Sequence, residues 1–186
     1  MKRLKWGVLG AGGISDRRTL PGMMLAENAE LVAVMELDTQ HAERIREKYH
    51  AKRAYTSDEA LLNDPEIDAV YIASPVVLHA RQAKMAADYG KHILLEKPIA
   101  MTAAEAKSVV DHCNLKGVKI AAGFMMRFGS YVMTMKQAIS EGRIGQIVSC
   151  DGMFTCWYPD IPGAWRQSKK RAGGGALMDM GVHCID

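Results

Sequence analysis

The stretch Leu4–Ser15, which reads LKWGVLGAGGIS, decides the fold. Its apolar start, Leu4–Leu9, predicts a buried strand, and the closely spaced glycines that follow predict a tight turn into a helix. Small residues let the backbone approach a pyrophosphate, and the start of a helix offers unpaired N–H groups to the anion. The stretch therefore predicts a dinucleotide-binding loop, with Ser15 in place of a third glycine or alanine. The candidate cofactor-binding residues here are Gly10, Gly12, Gly13 and Ile14.

A second apolar run, Leu31–Met35, is flanked by charged residues, as expected for a strand buried on both faces. Glu36 stands at its end, 24 residues after Gly12, where a carboxylate can accept hydrogen bonds from both ribose hydroxyls. The same carboxylate repels a 2'-phosphate, and Leu37 is not a base that could pair with one. The sequence thus predicts NAD as cofactor in preference to NADP, although a tight turn and a surface glutamate would give the same pattern.

Strand-like and helix-like segments alternate through residues 1–122, which predicts an α/β fold: a Rossmann-type doubly wound parallel sheet. Helix starts are marked by three N-cap candidates, Asp38, Ser57 and Thr102, the last with Glu105 in a capping box. The alternative for Asp38 is a second neighbour of the ribose. The further predicted strands are Arg53–Thr56, Ala69–Ala73, His92–Leu95 and Val118–Ala122. The predicted helices include Thr39–Tyr49 and Val76–Tyr89, with Gly90 as a C-cap.

The pattern changes after residue 122, where we expect the beginning of a second α/β domain with an open sheet. It predicts a helix at Tyr131–Glu141, an alternating strand at Gln146–Thr155 and a glycine triple at Gly173–Gly175. One strand cannot bury both faces of a sheet, so residues 123–186 are expected to form an incomplete start of a substrate and oligomerisation domain. The unpaired strand predicts self-association and hence a homo-oligomer. Little turnover is expected because the missing sheet would normally support the catalytic side chains.

Two groups of side chains could carry chemistry. Glu96, Lys97 and Pro98 follow the fifth strand at the carboxyl edge of the sheet, where open α/β folds bind ligands. The alternative for Glu96 and Lys97 is a surface ion pair. Asp179 and His183 are four residues apart and would share one helix face, either as an acid/base pair or as a structural hydrogen bond. A metal site with Cys184 lacks a third ligand at an informative spacing, so no metal is predicted.

Composition limits the class of protein. The 186 residues carry 24 Lys and Arg against 21 Asp and Glu, and the net charge of +3 is too small to indicate nucleic acid as a partner. No stretch approaches the length of about 18 apolar residues that a membrane span needs. The four cysteines form no CxxC pair, which favours reduced thiols and a cytoplasmic location.

Together these motifs resemble the Gfo/Idh/MocA oxidoreductases, of which glucose-fructose oxidoreductase and inositol 2-dehydrogenase are typical members. The ending Gly173–Asp186, which reads GGGALMDMGVHCID, carries the resemblance together with the Glu96-Lys97-Pro98 step. It extends to Ser74, Pro75 and His79 and to Arg127, so these residues, with Glu96 and Lys97, are added to the candidate cofactor-binding set. By this resemblance the chain is the N-terminal portion of such an enzyme with a truncated C-terminal domain.

The resemblance implies hydride transfer between nicotinamide and a carbinol carbon of a sugar, polyol or related ring. It further implies that Lys97, Asp179 and His183 are catalytic, with His183 moving the hydroxyl proton, and that Arg127 and Trp165 line the pocket. It also implies a cis Lys97–Pro98 peptide. The alternatives are a non-catalytic nucleotide-binding or regulatory protein, an inactive fragment of such an enzyme, and a metal-dependent hydrolase built on Asp179 and His183.

Overall fold

Six parallel strands form one sheet in the first of two units, Met1–Ala122, and the second unit is Gly123–Asp186. The computed structural model describes residues 3–172 and 174–186, so Gly173 of the predicted glycine triple lies outside the described residues. The strands are β1 Leu4–Leu9, β2 Ala29–Met35, β3 Arg53–Tyr55, β4 Ala69–Ile72, β5 His92–Leu95 and β6 Ile120–Ala122.

The strand order is β3-β2-β1-β4-β5-β6, and every neighbouring pair is parallel. This is the doubly wound order of a Rossmann fold, in which the direction of winding reverses between β1 and β4. The predicted fold class is therefore confirmed. All carboxyl ends of the strands meet at one edge, and the crevice at the reversal point lies directly after Leu9 and Ile72.

Helices connect these strands, and their starts follow the predicted capping pattern. The Asp38 side chain accepts a hydrogen bond from His41 N at 2.7 Å, Ser57 Oγ accepts from Ala60 N at 3.2 Å, and Thr102 Oγ1 accepts from Glu105 N at 3.1 Å. The helices of this unit are α1 Leu20–Leu25, α2 Thr39–Lys48, α3 Asp58–Leu62, α4 Val76–Asp88 and α5 Ala103–Leu115, with a π-helical turn at Ser15–Thr19 before α1.

The sheet is buried on both faces because successive side chains of a strand point to opposite sides. Leu9 belongs to one apolar cluster, with Val70 and Ile72, whereas Val8 belongs to the other, with Tyr71. Each of these five side chains is at most 1% exposed. This explains why β1, β2 and β4 read as apolar runs rather than as alternating patterns.

The second unit contains helices but, among residues 123–172 and 174–186, no strand. The strand predicted at Gln146–Thr155 is wrong: residues 147–160 have no regular secondary structure, and every residue from 141 to 163 is exposed. Alternating side chains do not hold a strand unless a neighbour takes up its backbone N–H and C=O groups. The helices are α6 Ser130–Ser140, α7 Lys169–Ala172 and α8 Val182–Ile185, with short turns at Met125–Phe128, Trp165–Gln167 and Leu177–Gly181.

Within the described residues, no helix has both the length and the apolar composition that crossing a bilayer requires.

A network of ion pairs ties β1 and the edge strand β3 to the loop before β4. Glu66 accepts hydrogen bonds from Lys5 at 3.1 Å, from Arg53 at 2.7 Å and from Lys52. Arg53 also donates to Asp64 at 2.6 Å, and the Asp64 side chain is 4% exposed. Hydrogen bonds from Lys52, Arg53 and Lys5 lower the pKa of Glu66 from its ordinary 4.5 to about 2.

We expect Glu66→Gln to lower the melting temperature above pH 5, because three cations lose their shared carboxylate. A lowered carboxyl pKa contributes stability that is present above pH 4.5 and is lost as the pH falls toward 2. The melting temperatures of variant and wild type should therefore converge between these values. Asp111→Asn is the control, since Asp111 pairs with Lys107 in an exposed i,i+4 bridge and its replacement should change the melting temperature little. A difference that persists unchanged down to pH 2 would contradict the assignment.

Candidate functional site

The glycine loop after β1 is held in a tight conformation by its own backbone. Gly10 and Gly13 have φ angles of +76° and +53°, a region that residues with a Cβ rarely adopt. Gly10 N and Ala11 N both donate to Met35 O at 3.1 Å, which fixes the loop to the end of β2. The loop thus lies at the carboxyl edge of the sheet, beside the ends of β1 and β2.

Ser15 closes the loop from within. Its Oγ donates to Gly10 O at 2.6 Å, and the residue is fully buried. The residue that replaces the third glycine of the fingerprint therefore supplies a hydrogen bond that glycine could not make. Sequence analysis identified Ser15 only as a departure from the glycine pattern. Its hydroxyl group, which can donate a hydrogen bond, was the feature that could have indicated this role.

Glu36 reaches across to the same loop. Gly12 N donates to Glu36 Oε1 at 2.6 Å, and a Cβ on Gly12 would lie 3.0 Å from that oxygen and 2.9 Å from His41 Cε1. A larger residue at position 12 would therefore require the Glu36 or His41 side chain to shift. The hydrogen bond from Gly12 N thus holds the carboxylate at the end of β2 beside the glycine loop. His41 is a neighbour that sequence reasoning missed.

The turn after β4 lies against the glycine loop and the start of α4. A Cβ on Gly10 would be 2.8 Å from Ser74 N, so the two turns approach at backbone distance. Ser74 Oγ donates to Gln82 Oε1, and Pro75 forms the N-cap of α4. His79, one turn into α4, is 2% exposed, with Nδ1 2.8 Å from Pro98 O and Nε2 2.9 Å from Ser74 O.

The turn after β5 contains Glu96, Lys97 and Pro98, and the Lys97–Pro98 peptide is cis, which confirms the sequence prediction. Lys97 N donates to Glu96 Oε2 at 3.2 Å. Tyr71 Oη donates to Glu96 Oε1 at 2.6 Å and accepts from Thr19 Oγ1 at 3.0 Å. Burial and the nearby Glu96 carboxylate raise the pKa of Tyr71, so its hydroxyl stays protonated and a donor.

Sequence reasoning missed this hydroxyl relay. Tyr71 lies in the apolar run of β4 and reads as a core residue, which its ring is at 1% exposure. Its hydroxyl nevertheless bridges the turn after the glycine loop to the turn that carries Lys97. A tyrosine in a buried strand, one strand away from a glutamate at the same edge, was the available signal.

The second unit contains the remaining predicted residues. The His183 ring packs edge-on to Phe124 and Phe154, with ring centroids 6.2 and 5.7 Å apart. Asp179 Oδ2 lies 3.7 Å from Arg166 Nε, in a loose ion pair. Asp179 lies in the helical turn Leu177–Gly181, and His183 lies in the next one, Val182–Ile185.

The other two residues predicted in this unit are partnered locally. Arg127 donates to both carboxylate oxygens of Asp186 at 2.6 to 2.8 Å, and this pairing raises the pKa of Arg127. The Trp165 ring lies 4.4 Å from the Arg166 guanidinium carbon, in a cation–π contact. Sequence reasoning missed Arg166, Phe124 and Phe154 as neighbours of these predicted residues.

The first unit therefore brings together one set of predicted residues at the carboxyl edge of β1, β2, β4 and β5. Arg127, Asp179 and His183 belong to the second unit. Within the described residues, no group of three or more His, Cys, Asp or Glu side chains is placed to hold a metal ion. The carboxyl edge of the sheet contains the glycine loop, the Glu36 carboxylate and Lys97, a combination that suits a dinucleotide.

A parallel sheet with this edge defines a dinucleotide-binding α/β protein. Residues 4–124 match the family model described as "Oxidoreductase family, NAD-binding Rossmann fold", and residues 132–186 match the "GFO/IDH/MocA C-terminal domain". The chain belongs to the Gfo/Idh/MocA oxidoreductase family.

Among curated relatives, the chain is 32% identical to 1,5-anhydro-D-fructose reductase of Ensifer adhaerens and 34% identical to D-xylose 1-dehydrogenase (NADP(+)) 2 of Haloferax volcanii. Each alignment covers 98% of this chain but only 54% and 55% of the relative. The chain thus spans about half the length of the curated relatives it matches.

Solved structures give the same result. KijD10, a 3-ketoreductase from Actinomadura kijaniata in complex with NADP and TDP-benzene, superposes with a TM-score of 0.83 at 28% identity, over 99% of this chain and 56% of that one. Aldose-aldose oxidoreductase from Caulobacter crescentus, complexed with glycerol, gives 0.85 at 25% identity, over 99% and 56%. Both structures are of enzymes named as a reductase or an oxidoreductase, and that of KijD10 contains NADP.

We expect Gly10→Ala to reduce the free energy of unfolding by about 2–4 kcal/mol, because the left-handed backbone is strained and the new Cβ meets the backbone of Ser74. Gly13→Ala is the matched control: its φ is also positive, but a Cβ there would meet nothing within 4 Å, so about 1 kcal/mol is expected. Urea denaturation measures both. Equal losses would show that the approach of the two turns is not what requires Gly10.

Proposed function

We propose that the chain is an NAD(P)-dependent oxidoreductase that transfers a hydride between nicotinamide and a carbinol carbon of a sugar, polyol or related ring. The observation that carries this proposal is the convergence of the glycine loop, Glu36 and Lys97 at one edge of the sheet. The relatives support the substrate class, since their names refer to anhydrofructose, xylose and aldoses. The bound coenzyme would supply the hydride acceptor.

The chain's own residues have separate tasks in this proposal. The glycine loop, Gly10 to Ile14, binds the pyrophosphate, and the turns at Ser74, Pro75 and Glu96 border the nicotinamide half. Lys97 orients the reacting oxygen. His183 takes the hydroxyl proton, because an imidazole titrates closer to neutral pH than an ordinary lysine. Asp179 binds substrate or orients that imidazole.

The two units divide this work: residues 1–122 bind the coenzyme, and residues 123–186 contribute to the substrate side. Arg127 and Trp165 are proposed pocket residues.

A homo-oligomer and a cytoplasmic location stay predictions, and light scattering on the purified chain tests the first. Large exposed apolar side chains in the second unit, such as Trp157 at 89% and Val148 at 93%, favour association.

For the coenzyme we propose NAD in preference to NADP. Glu36 is fixed beside the loop by Gly12 N, and its carboxylate would face a 2'-phosphate at close range. Leu37, which follows it, is 80% exposed and carries no charge. KijD10 binds NADP, so the family accommodates both coenzymes and the choice depends on local residues such as these.

We expect titration with NADH and NADPH to give at least about tenfold tighter binding of NADH, since one unfavourable charge contact of about 1.4 kcal/mol is worth that ratio. The double variant Glu36→Ser with Leu37→Arg should reverse the order, because it removes the repulsion and supplies a base. Leu37→Ser alone is the control and should leave the preference unchanged. Equal or tighter NADPH binding by the wild type would overturn the proposed preference.

We expect Lys97→Met to reduce turnover on a panel of sugars and inositols by about 10²–10⁴-fold, the usual contribution of a positioned acid/base or polarising group. NADH affinity should change far less, because the glycine loop and Glu36 are untouched. Lys119→Met, at a lysine outside the carboxyl edge, serves as the control. Intact NADH binding without any turnover in the wild type would favour the alternatives to an active enzyme, a non-catalytic nucleotide-binding protein or an inactive fragment of such an enzyme.

A further inference from the structure

His79 has a geometry that a coenzyme-contacting residue would not need. Both ring nitrogens point at backbone carbonyl oxygens, Pro98 O at 2.8 Å and Ser74 O at 2.9 Å. At 2% exposure the ring has almost no surface left for a ligand. Its hydrogen-bonding capacity is therefore used inside the protein.

The two carbonyls belong to different turns. Ser74 O lies in the turn after β4, and Pro98 O lies in the turn after β5, which also carries Lys97. These turns are adjacent because β4 and β5 pair in parallel, with Ile72 opposite Leu95. The imidazole thus spans the gap beyond the end of this strand pair, where ladder hydrogen bonds have stopped.

The protonation of the ring decides how firmly the link holds. A neutral imidazole donates to one carbonyl only, whereas a doubly protonated ring donates to both. Burial lowers the pKa of His79, and the hydrogen bonds to Pro98 O and Ser74 O, with the Glu96 carboxylate, oppose that shift. In either form at least one N–H is held inside the protein.

We propose that His79 is a positioning residue: it links the turns after β4 and β5 and so holds Lys97 and the nicotinamide side of the site in place. It does not contact the coenzyme itself. This inference rests on the proposed coenzyme site. It predicts that His79 affects the nicotinamide half of the ligand and not the adenosine half, which is bound by the glycine loop and Glu36.

The same unit offers a matched control on the opposite edge of the sheet. Lys91 is 8% exposed, and its Nζ donates to two backbone carbonyls, Asp64 O and Ile67 O, both at 2.8 Å. Like His79, it is a buried basic side chain that bridges two carbonyls. Unlike His79, it lies at the amino end of β5, away from Lys97.

The experiment compares wild type, His79→Phe and Lys91→Met by titration with NADH and with ADP, which lacks the nicotinamide half. His79→Phe keeps the ring but removes both nitrogens, and we expect NADH to bind about tenfold more weakly while ADP affinity stays within twofold. Lys91→Met should change neither affinity. Equal weakening of NADH and ADP by His79→Phe would overturn the proposal in favour of a general structural role.

Amide hydrogen exchange tests the link without any ligand. The amides of Lys97 and Ile99 should exchange at least about tenfold faster in His79→Phe than in wild type or Lys91→Met, because the turn after β5 loses its tie. Unchanged exchange would overturn the proposal, and unchanged exchange with weaker NADH binding would instead indicate direct contact. If the wild type binds neither NADH nor ADP but exchange is still faster in His79→Phe, the proposed function is rejected and the link between the two turns is retained.

If His79→Phe does not fold, His79→Gln replaces it. A side-chain amide can donate to one carbonyl but not to both in this geometry, so an intermediate increase in exchange is expected. Exchange equal to that of the wild type would overturn the proposal in this variant as well.

Discussion

The structure depends on the close backbone approach of Gly10 to Ser74, at the point where the winding of the sheet reverses. A single Cβ at Gly10 would come within 2.8 Å of Ser74 N. Because the turns after β1 and β4 are in contact here, the crevice between them is narrow and lined by backbone. The glycine loop, Glu36 and the turn carrying Lys97 are arranged around this contact.

Much of the first unit could be predicted from its sequence because each signal was local. An apolar run such as Leu31–Met35 is sufficient for a buried strand, and Asp38, Ser57 and Thr102 each mark a helix start through their own side chains. The parallel order then places Glu36 and Lys97 at one edge without further information. The cis peptide at Pro98 was implied by family resemblance and not by the residues alone.

The remaining features of the structure could not be predicted, because each depends on a contact between residues that are distant in the chain. Nothing in β4 indicates that the Tyr71 hydroxyl meets both Thr19 and Glu96. His79 was predicted as a cofactor residue, and only its two carbonyl neighbours suggest a different task. The strand predicted at Gln146–Thr155 failed for the same reason, since a strand is a property of a pair and the alternation of one segment does not reveal its partner.

The hydroxyl relay through Tyr71 has a consequence for how this sequence can vary. Thr19, Tyr71 and Glu96 are 52 and 25 residues apart in the chain, yet each satisfies a polar atom of the next. Loss of the Tyr71 hydroxyl removes the hydrogen-bond partner of both Thr19 Oγ1 and Glu96 Oε1, at a cost of about 1–3 kcal/mol. Across related genes these three positions should therefore covary, with an apolar residue at 71 accompanied by the loss of the hydroxyl at 19 and of the carboxylate at 96.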